Sequence, residues 1–276
     1  MRLRVPILIS LAAACSFEAS VDGVDAGTSS DAQASIDAAP STDAAVTLDA
    51  APQVVCTSSD PSLRLCIEFE DPTLGIALDG SGLENHASVA GVTSTTRAVP
   101  ATSQAVGVTA STEIMIPDTA DFDLQTLTMT AWVQRTALPD FDERFGVIDV
   151  GQRQAALAID DLGRVTCFVK TSSTLWFRTG GSTGNGEWAL AACTYDAPRL
   201  CAWSFRNGSS TPDVVCGNTN SAPLDTSASS GSTIGALLDS SSTPSSRFSG
   251  NIDSVRIYSR ALSEAELCMS GGLSGC

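Results

Sequence analysis

The chain has 276 residues, of which 43% are hydrophobic and 17% charged, enough apolar material for a packed core and too much for wholesale disorder. One lysine and fourteen arginines face 31 acidic residues, and a formal charge of −16 argues against nucleic acid as a partner. Nine cysteines and a single histidine, His86, exclude a multi-histidine zinc site and leave one candidate base for a serine hydrolase relay. The chain opens on Arg2 and Arg4, followed by an apolar run over residues 5–14 and then Cys15. A positive start, a short apolar stretch and small residues before the cut predict a secretory signal peptide over residues 1–14.

The ending Leu11-Ala12-Ala13-Ala14-Cys15 resembles the bacterial lipobox, with Ala12 where leucine is usual. That resemblance makes Cys15 the lipidated N-terminus of the mature protein and the lipid its one attachment to a membrane. Without Cys15 the cysteines number eight, and an even set in an exported chain predicts disulfides. Residues 15–52 are Ala, Ser, Asp and Thr with seven carboxylates and no cation, so they predict a disordered acidic tether.

Residues 53–276 carry 13 basic against 24 acidic residues and a different pattern. Runs rich in Val, Ile, Thr and aromatics recur at 63–69, 104–109, 112–116, 127–134, 145–150, 155–159 and 164–170. They continue at 175–178, 188–195, 200–205, 213–216, 232–235 and 248–258. Turn residues bound them, which predicts an all-β antiparallel sandwich. In 127–134, Leu127, Met129 and Ala131 alternate with Thr128, Thr130 and Trp132, predicting one buried and one wetter face. Asn207-Gly208 predicts a hairpin turn. Ser263-Glu-Ala-Glu266 reads as a capping box opening one short helix that ends near Gly271.

Trp176 shares a strand face with Arg178, opposite Leu175 and Phe177. It is the tryptophan expected to be exposed and, with Arg178, to bind ligand. Trp132, Trp188 and Trp203 are expected in the core. Glu68 and Glu70 are spaced for one strand face, as a paired-carboxylate hydrolase would need, but no third acid follows them. Asp160-Asp161 before Gly163 predicts turn chemistry.

The segment Phe248-Ser-Gly-Asn-Ile-Asp-Ser-Val-Arg-Ile-Tyr-Ser-Arg-Ala-Leu-Ser-Glu-Ala-Glu-Leu267 resembles the last strand and terminal helix of concanavalin A-like domains of the laminin G-like jelly-roll type. Four weaker segments agree in order: Asp79-Gly-Ser-Gly-Leu-Glu-Asn-His86, residues 127–133, Trp188 to Asp196, and Arg199 to Gly208. Ala189 and Leu190 depart from the histidines expected after the tryptophan. The resemblance implies a two-sheet jelly roll that binds carbohydrate or protein. It also implies neighbouring positions for Cys56–Cys66, Cys167–Cys193, Cys201–Cys216 and Cys268–Cys276, with Cys167 and Cys193 side by side on successive runs.

In such domains Asp79 and Asp253 would lie together near a structural Ca²⁺, a hard cation that prefers carboxylates. The alternative is that Asp79 caps a turn while Asp253 meets a backbone amide or an arginine. The expected protein is therefore a monomeric bacterial lipoprotein at the outer membrane or cell surface, or else a secreted or periplasmic one. Its expected role is noncatalytic binding of a polysaccharide or another surface protein. A glycoside hydrolase or lyase on the same fold and a structural envelope protein without a ligand are the alternatives.

Overall fold

The computed structural model describes residue 56 and residues 59–70, 75–172, 174–227 and 230–276. The signal peptide, Cys15 and the tether lie outside the described residues. The strands in chain order are β1 (Leu63–Ile67), β2 (Ile76–Ala77), β3 (Ala87–Ala90), β4 (Thr93–Arg97), β5 (Ser103–Val108) and β6 (Glu113–Ile116). Next come β7 (Leu127–Arg135), β8 (Arg144–Val150), β9 (Ala155–Asp160), β10 (Arg164–Thr171), β11 (Thr174–Ser182) and β12 (Ala189–Asp196). The last are β13 (Arg199–Arg206), β14 (Asp213–Asn218), β15 (Ser232–Ile234), β16 (Leu237–Leu238), β17 (Pro244–Ser245) and β18 (Gly250–Tyr258), followed by helix α1 (Glu264–Ser270).

They form two eight-stranded antiparallel sheets. The first has the order β14-β13-β12-β7-β18-β5-β4, with β1 also on β18. The second has the order β11-β10-β9-β8-β15-β6-β3-β2, and β16 and β17 make a separate hairpin. This is the expected jelly-roll sandwich. Every predicted run is a strand, whereas β2, β3, β4, β16 and β17 gave no signal. They are short, and β4 (Thr-Ser-Thr-Thr-Arg) is almost all polar because it lies at a sheet edge.

The core between the sheets takes the alternate positions that the pattern predicted, including Leu127, Met129 and Ala131 of β7 and Leu157, Val165 and Val169 of β9 and β10. Removing this apolar surface from water is the main favourable term for the fold. Cys167 and Cys193 sit inside that core but not side by side in one sheet: β10 belongs to the second sheet and β12 to the first, so their disulfide joins the layers. Cys201–Cys216 links directly opposed residues of β13 and β14. Cys56–Cys66 and Cys268–Cys276 close local loops.

The other face of β7 is not wet. Trp132 points away from the sandwich core and is still fully buried, packed with Trp188, Leu190, Phe205 and Tyr258 under Leu262, Leu267, Cys268 and Leu273 of the C-terminal segment. Ser263 caps α1 by accepting the Glu266 N–H, and the Glu266 carboxylate accepts the Ser263 N–H in return. The Trp132 indole N–H donates to the Gly271 carbonyl at 3.2 Å. A Cβ at residue 271 would stand 2.5 Å from Leu190, so only glycine lets the chain lie this close. The Asn207-Gly208 turn forms with both residues at positive φ and Ser209 N–H bonded to the Arg206 carbonyl.

Thiol titration of the unreduced protein carrying Cys15→Ser should detect no free thiol, and eight after reduction in denaturant. A substantial signal before reduction would contradict the four pairs.

Candidate functional site

Of the two outward-facing sheet surfaces, the first is roofed by the C-terminal segment. The second is covered across β8 and β9 and onto β10, where the segment leading into the β16–β17 hairpin crosses β8 and Leu237 packs with Ala156, Ala158 and Phe168. Gly146 makes that crossing possible, since a Cβ there would lie 2.2–2.4 Å from backbone atoms of Ala236 and Leu237. Asp149, on β8, pins the hairpin: its Oδ2 accepts the Leu238 N–H at 2.8 Å and its Oδ1 accepts the Arg153 N–H at 2.5 Å. On the β11 side, the open part of this surface is its margin, where Leu175 and Phe177 are exposed.

Antiparallel register lines up the outward side chains in rows, exposed at Phe177 on β11 and buried at Phe168, Ala156, Asp149, Thr166 and Ala158. Phe177, Phe168, Ala156 and Asp149 are cross-strand neighbours, and Thr179, Thr166, Ala158 and Gly146 form the next row. The two phenyl rings lie 6.1 Å apart at 39°. The Arg144 guanidinium lies 5.3 Å from the Phe168 ring and 5.7 Å from that of Phe177. Two residues further along the same strands, Lys170 and Leu175 line a cleft of about 460 Å³ with Gln152, Arg153, Thr174, Leu238, Asp239 and Ser240. Leu175 is 44% exposed and Phe177 50%.

Arg153 reaches the cleft from a turn in which Gly151, Gln152 and Arg153 all have positive φ, at 53°, 52° and 68°. Two successive non-glycine residues in the left-handed region are costly and cluster at sites where a side chain must be aimed. Gln152 is held by a bond from its Nε2 to the Asp239 carbonyl. Lys170 is paired with Asp225 at 2.8 Å, and Arg164 with Asp160 at 2.7 Å. Arg144 and Arg153 pair with no acid among the described residues, and the Nε of each is buried without a hydrogen-bond partner.

Trp176 and Arg178 stand on the other side of β11. Trp176 is half-buried against the inter-sheet core, opposite Val169, and its indole nitrogen is buried without a partner. Arg178 is opposite Cys167 and donates to the carbonyls of Phe177 and Asn218. The expected exposed face is thus inverted, and Leu175 and Phe177 take the solvent side. Three apolar residues in a row carry no phase, so alternation could not decide which side faced water. Trp132 and Trp188 are buried as expected, and Trp203 is half-buried with its N–H on Thr194 at 3.0 Å.

The residues proposed for Ca²⁺ do not fit that ion. Asp79 accepts N–H groups of Cys66 and Ser81 on Oδ1, and the Ser81 hydroxyl and Asn85 N–H on Oδ2, so all its lone pairs are taken. Asp253 is bound by the Arg97 guanidinium at 2.6 Å, by the Ser103 hydroxyl and by the Ser254 N–H. A cation there would meet a fixed positive charge. The turn cap and the arginine partner, the alternative for these two aspartates, are what the structure contains. Cys56, Cys66 and Glu68 cluster closely, but both sulfurs are disulfide-bonded.

A paired-carboxylate hydrolase finds no support in this region either. Strand β1 ends at Ile67 and Phe69 adopts φ 54°, so Glu68 and Glu70 do not occupy alternate positions of one strand. Glu68 is engaged by Arg256 and Ser254. Burial pushes the Glu68 and Asp253 carboxyls above their ordinary range, against the pull of Arg256 on one and Arg97 on the other. Asp160 accepts the N–H groups of Leu162 and Arg164, the expected turn chemistry.

A family model for the concanavalin A-like lectin/glucanases superfamily matches residues 108–268. No curated protein matches the sequence. Among solved structures, the chain is similar to the binding domain of Paraclostridial Mosquitocidal Protein 1, with 14% identity and a TM-score of 0.57 over 76% of this chain and 52% of that one. It is similar to domain 4 of AbnA, a GH43 extracellular arabinanase from Geobacillus stearothermophilus in complex with arabinotriose, at 16% identity and a TM-score of 0.55 over 76% of this chain and 98% of that one. It is also similar to the binding domain of botulinum neurotoxin DC in complex with rat synaptotagmin II, at 10% identity and a TM-score of 0.51 over 76% and 51%. The chain spans about half the length of the two toxin domains. At these identities the likeness is one of fold.

Burial pushes the Asp149 carboxyl up to about 7, against two backbone N–H groups and the Arg153 charge that favour its ionised form. The folded chain therefore holds this proton more tightly than the unfolded chain. The stabilisation is complete below the unfolded value of 3.8 and is lost as pH rises through about 7. Chemical denaturation should show stability falling between about pH 4 and about pH 7, and the fall should be reduced in Asp149→Asn. An equally steep fall in the variant would remove Asp149 as its source.

Proposed function

The chain belongs to the concanavalin A-like lectin/glucanase superfamily, and on that basis we propose that it is a noncatalytic binding module for a polysaccharide or another cell-surface protein. The observation that carries this proposal is the exposed β11 margin of the second sheet. There, exposed Phe177 and Leu175 adjoin a cleft with guanidinium, amide and hydroxyl groups. A concave apolar surface with a few convergent polar groups is the usual form of a ligand site. The arabinotriose bound to one fold relative and the synaptotagmin bound to another are in keeping with either partner. Against turnover stands the placement of Glu68 and Glu70, which are not presented as a pair on one strand face, Glu68 being ion-paired with Arg256.

Four disulfides suit an oxidising, non-cytoplasmic compartment. Among the described residues no helix is long and apolar enough to cross a membrane. We place the domain at the outer membrane or cell surface, carried by residues 15–52 from a lipid on Cys15, as a monomer.

The purified protein should be retained by at least one polysaccharide or surface-protein fraction of an envelope without releasing reducing ends or unsaturated sugars. Product release would replace the binding role with hydrolase or lyase activity, and no retention would favour a structural envelope role. Labelled fatty acid should enter the wild-type chain in its bacterial host and be absent from Cys15→Ser. An unlipidated wild type would overturn the anchor.

A further inference from the structure

We propose that the outer face of the second sheet carries a saccharide site at its other margin, over β2, β3 and β6. It takes an uncharged sugar whose hydroxyls are met by His86, Ser88 and Asp118. The proposal rests on the binding role above and adds to it a site separate from the β11 margin.

Placement is the first ground. Register sets Ile76, Ser88, Met115 and Thr233 in one row across β2, β3, β6 and β15. Thr233 is fully buried, Met115 is half-buried, Ser88 is exposed and Ile76 is 50% exposed, so the row opens to solvent toward the β2 edge. A cavity of about 550 Å³ lies there, lined by Ile76, Ser88 and Met115 on the strands and by His86, Pro117 and Asp118 at the strand ends. That volume falls in the usual range of small-ligand sites.

Hydrogen-bonding chemistry is the second ground. The Asp79 N–H donates to His86 Nδ1 at 3.0 Å, which assigns the ring proton to Nε2 and fixes the ring. The turn that does this is itself held by bonds from Cys66, Ser81 and Asn85 to the Asp79 carboxylate. Ser88 donates its hydroxyl proton to the Met115 carbonyl at 3.3 Å and so offers lone pairs to a ligand. Asp118 is the one carboxylate lining the cavity, and no arginine or lysine lines it. The cavity therefore presents one oriented donor beside two acceptors.

Hydroxyl groups both give and take hydrogen bonds, so a ring with neighbouring hydroxyls answers all three. A carboxylate or sulfate brings no proton for Asp118 and is repelled by it, in a chain of formal charge −16. An ammonium brings no lone pair for the His86 N–H. Ile76, Met115 and Pro117 supply apolar contact for the C–H faces of the ring. An extended peptide would use the backbone of a strand edge, whereas the groups gathered here are side chains around a depression.

His86 is the only histidine, so its carbon-bound ring protons report on this site alone. The full chain should be titrated with maltotriose, cellotriose, mannotriose and arabinotriose, with trigalacturonate, and with N-acetyl-tetra-alanine amide. Those protons are followed by NMR and affinity by calorimetry. At least one neutral trisaccharide should shift them saturably in the millimolar range, and trigalacturonate and the peptide should not. Asp118→Ala should weaken that binding about tenfold or more, as loss of a bond to a charged group does. His86→Asn keeps an acceptor for the Asp79 N–H but has no Nε2 donor, so it should weaken binding with the melting temperature retained. Phe177→Ala, at the β11 margin, should leave it unchanged.

Ring protons unmoved by every neutral trisaccharide would overturn this site, while calorimetric binding lost in Phe177→Ala would still uphold the binding role. Equal shifts with trigalacturonate would overturn the uncharged assignment, and equal shifts with the peptide would overturn the saccharide.

Discussion

Trp132 turns away from the sandwich core and is nevertheless completely shielded from water, and the arrangement of the molecule follows from how that is achieved. An outward tryptophan flanked by Trp188, Leu190 and Phe205 gives the first sheet an apolar back as well as an apolar front. Such a surface has to be covered, and the covering is the chain that follows β18: a sharp exit, a capped helix of two turns and a tail clipped by Cys268–Cys276. With one outer face occupied in this way, the surface left for recognition is that of the second sheet. The asymmetry between the two layers thus has a packing cause before it has a functional use.

A second organising element is ionic. At the bulge in β18, where Ser254 adopts φ 48°, Asp253 and Ser254 meet Arg97 from β4, while Arg256 and Ser254 meet Glu68 at the end of β1. Buried charges of both signs satisfy one another across three strands that are distant in sequence. Losing one partner would strand the other in a medium that solvates it poorly, so the cluster stands or falls together. It occupies the place where the sequence resemblance suggested a metal, and the arginine supplies the positive charge.

Most of the sandwich was visible in the residues because runs rich in Val, Ile, Thr and aromatics, bounded by turn residues, mark thirteen of its strands. The capping box and the Asn207-Gly208 turn are short-range signals and were equally plain. What stayed hidden depends on phase or distance. Leu175, Trp176 and Phe177 are all apolar, so periodicity could not say which of them faced out, and the charged Arg178 on the face of Trp176 pointed to the wrong one. Arg144 and Arg153 look in sequence like ordinary turn arginines. Only the strand order β8-β9-β10-β11 sets Arg144 beside Phe168 and Phe177. Likewise nothing near Asp253 announces Arg97, 156 positions away. The wet face expected for β7 failed for a related reason: the segment that covers it is more than a hundred residues further along the chain.

The disulfide between Cys201 and Cys216 joins the outermost strand of the first sheet to its neighbour at directly opposed positions. A boundary strand carrying Val214 and Val215 on its surface is the part of a β-sandwich most prone to peel away and pair with another copy. A covalent tie in the middle of that ladder forbids both peeling and slippage by a residue. The tie therefore keeps this margin from exchanging with that of another copy.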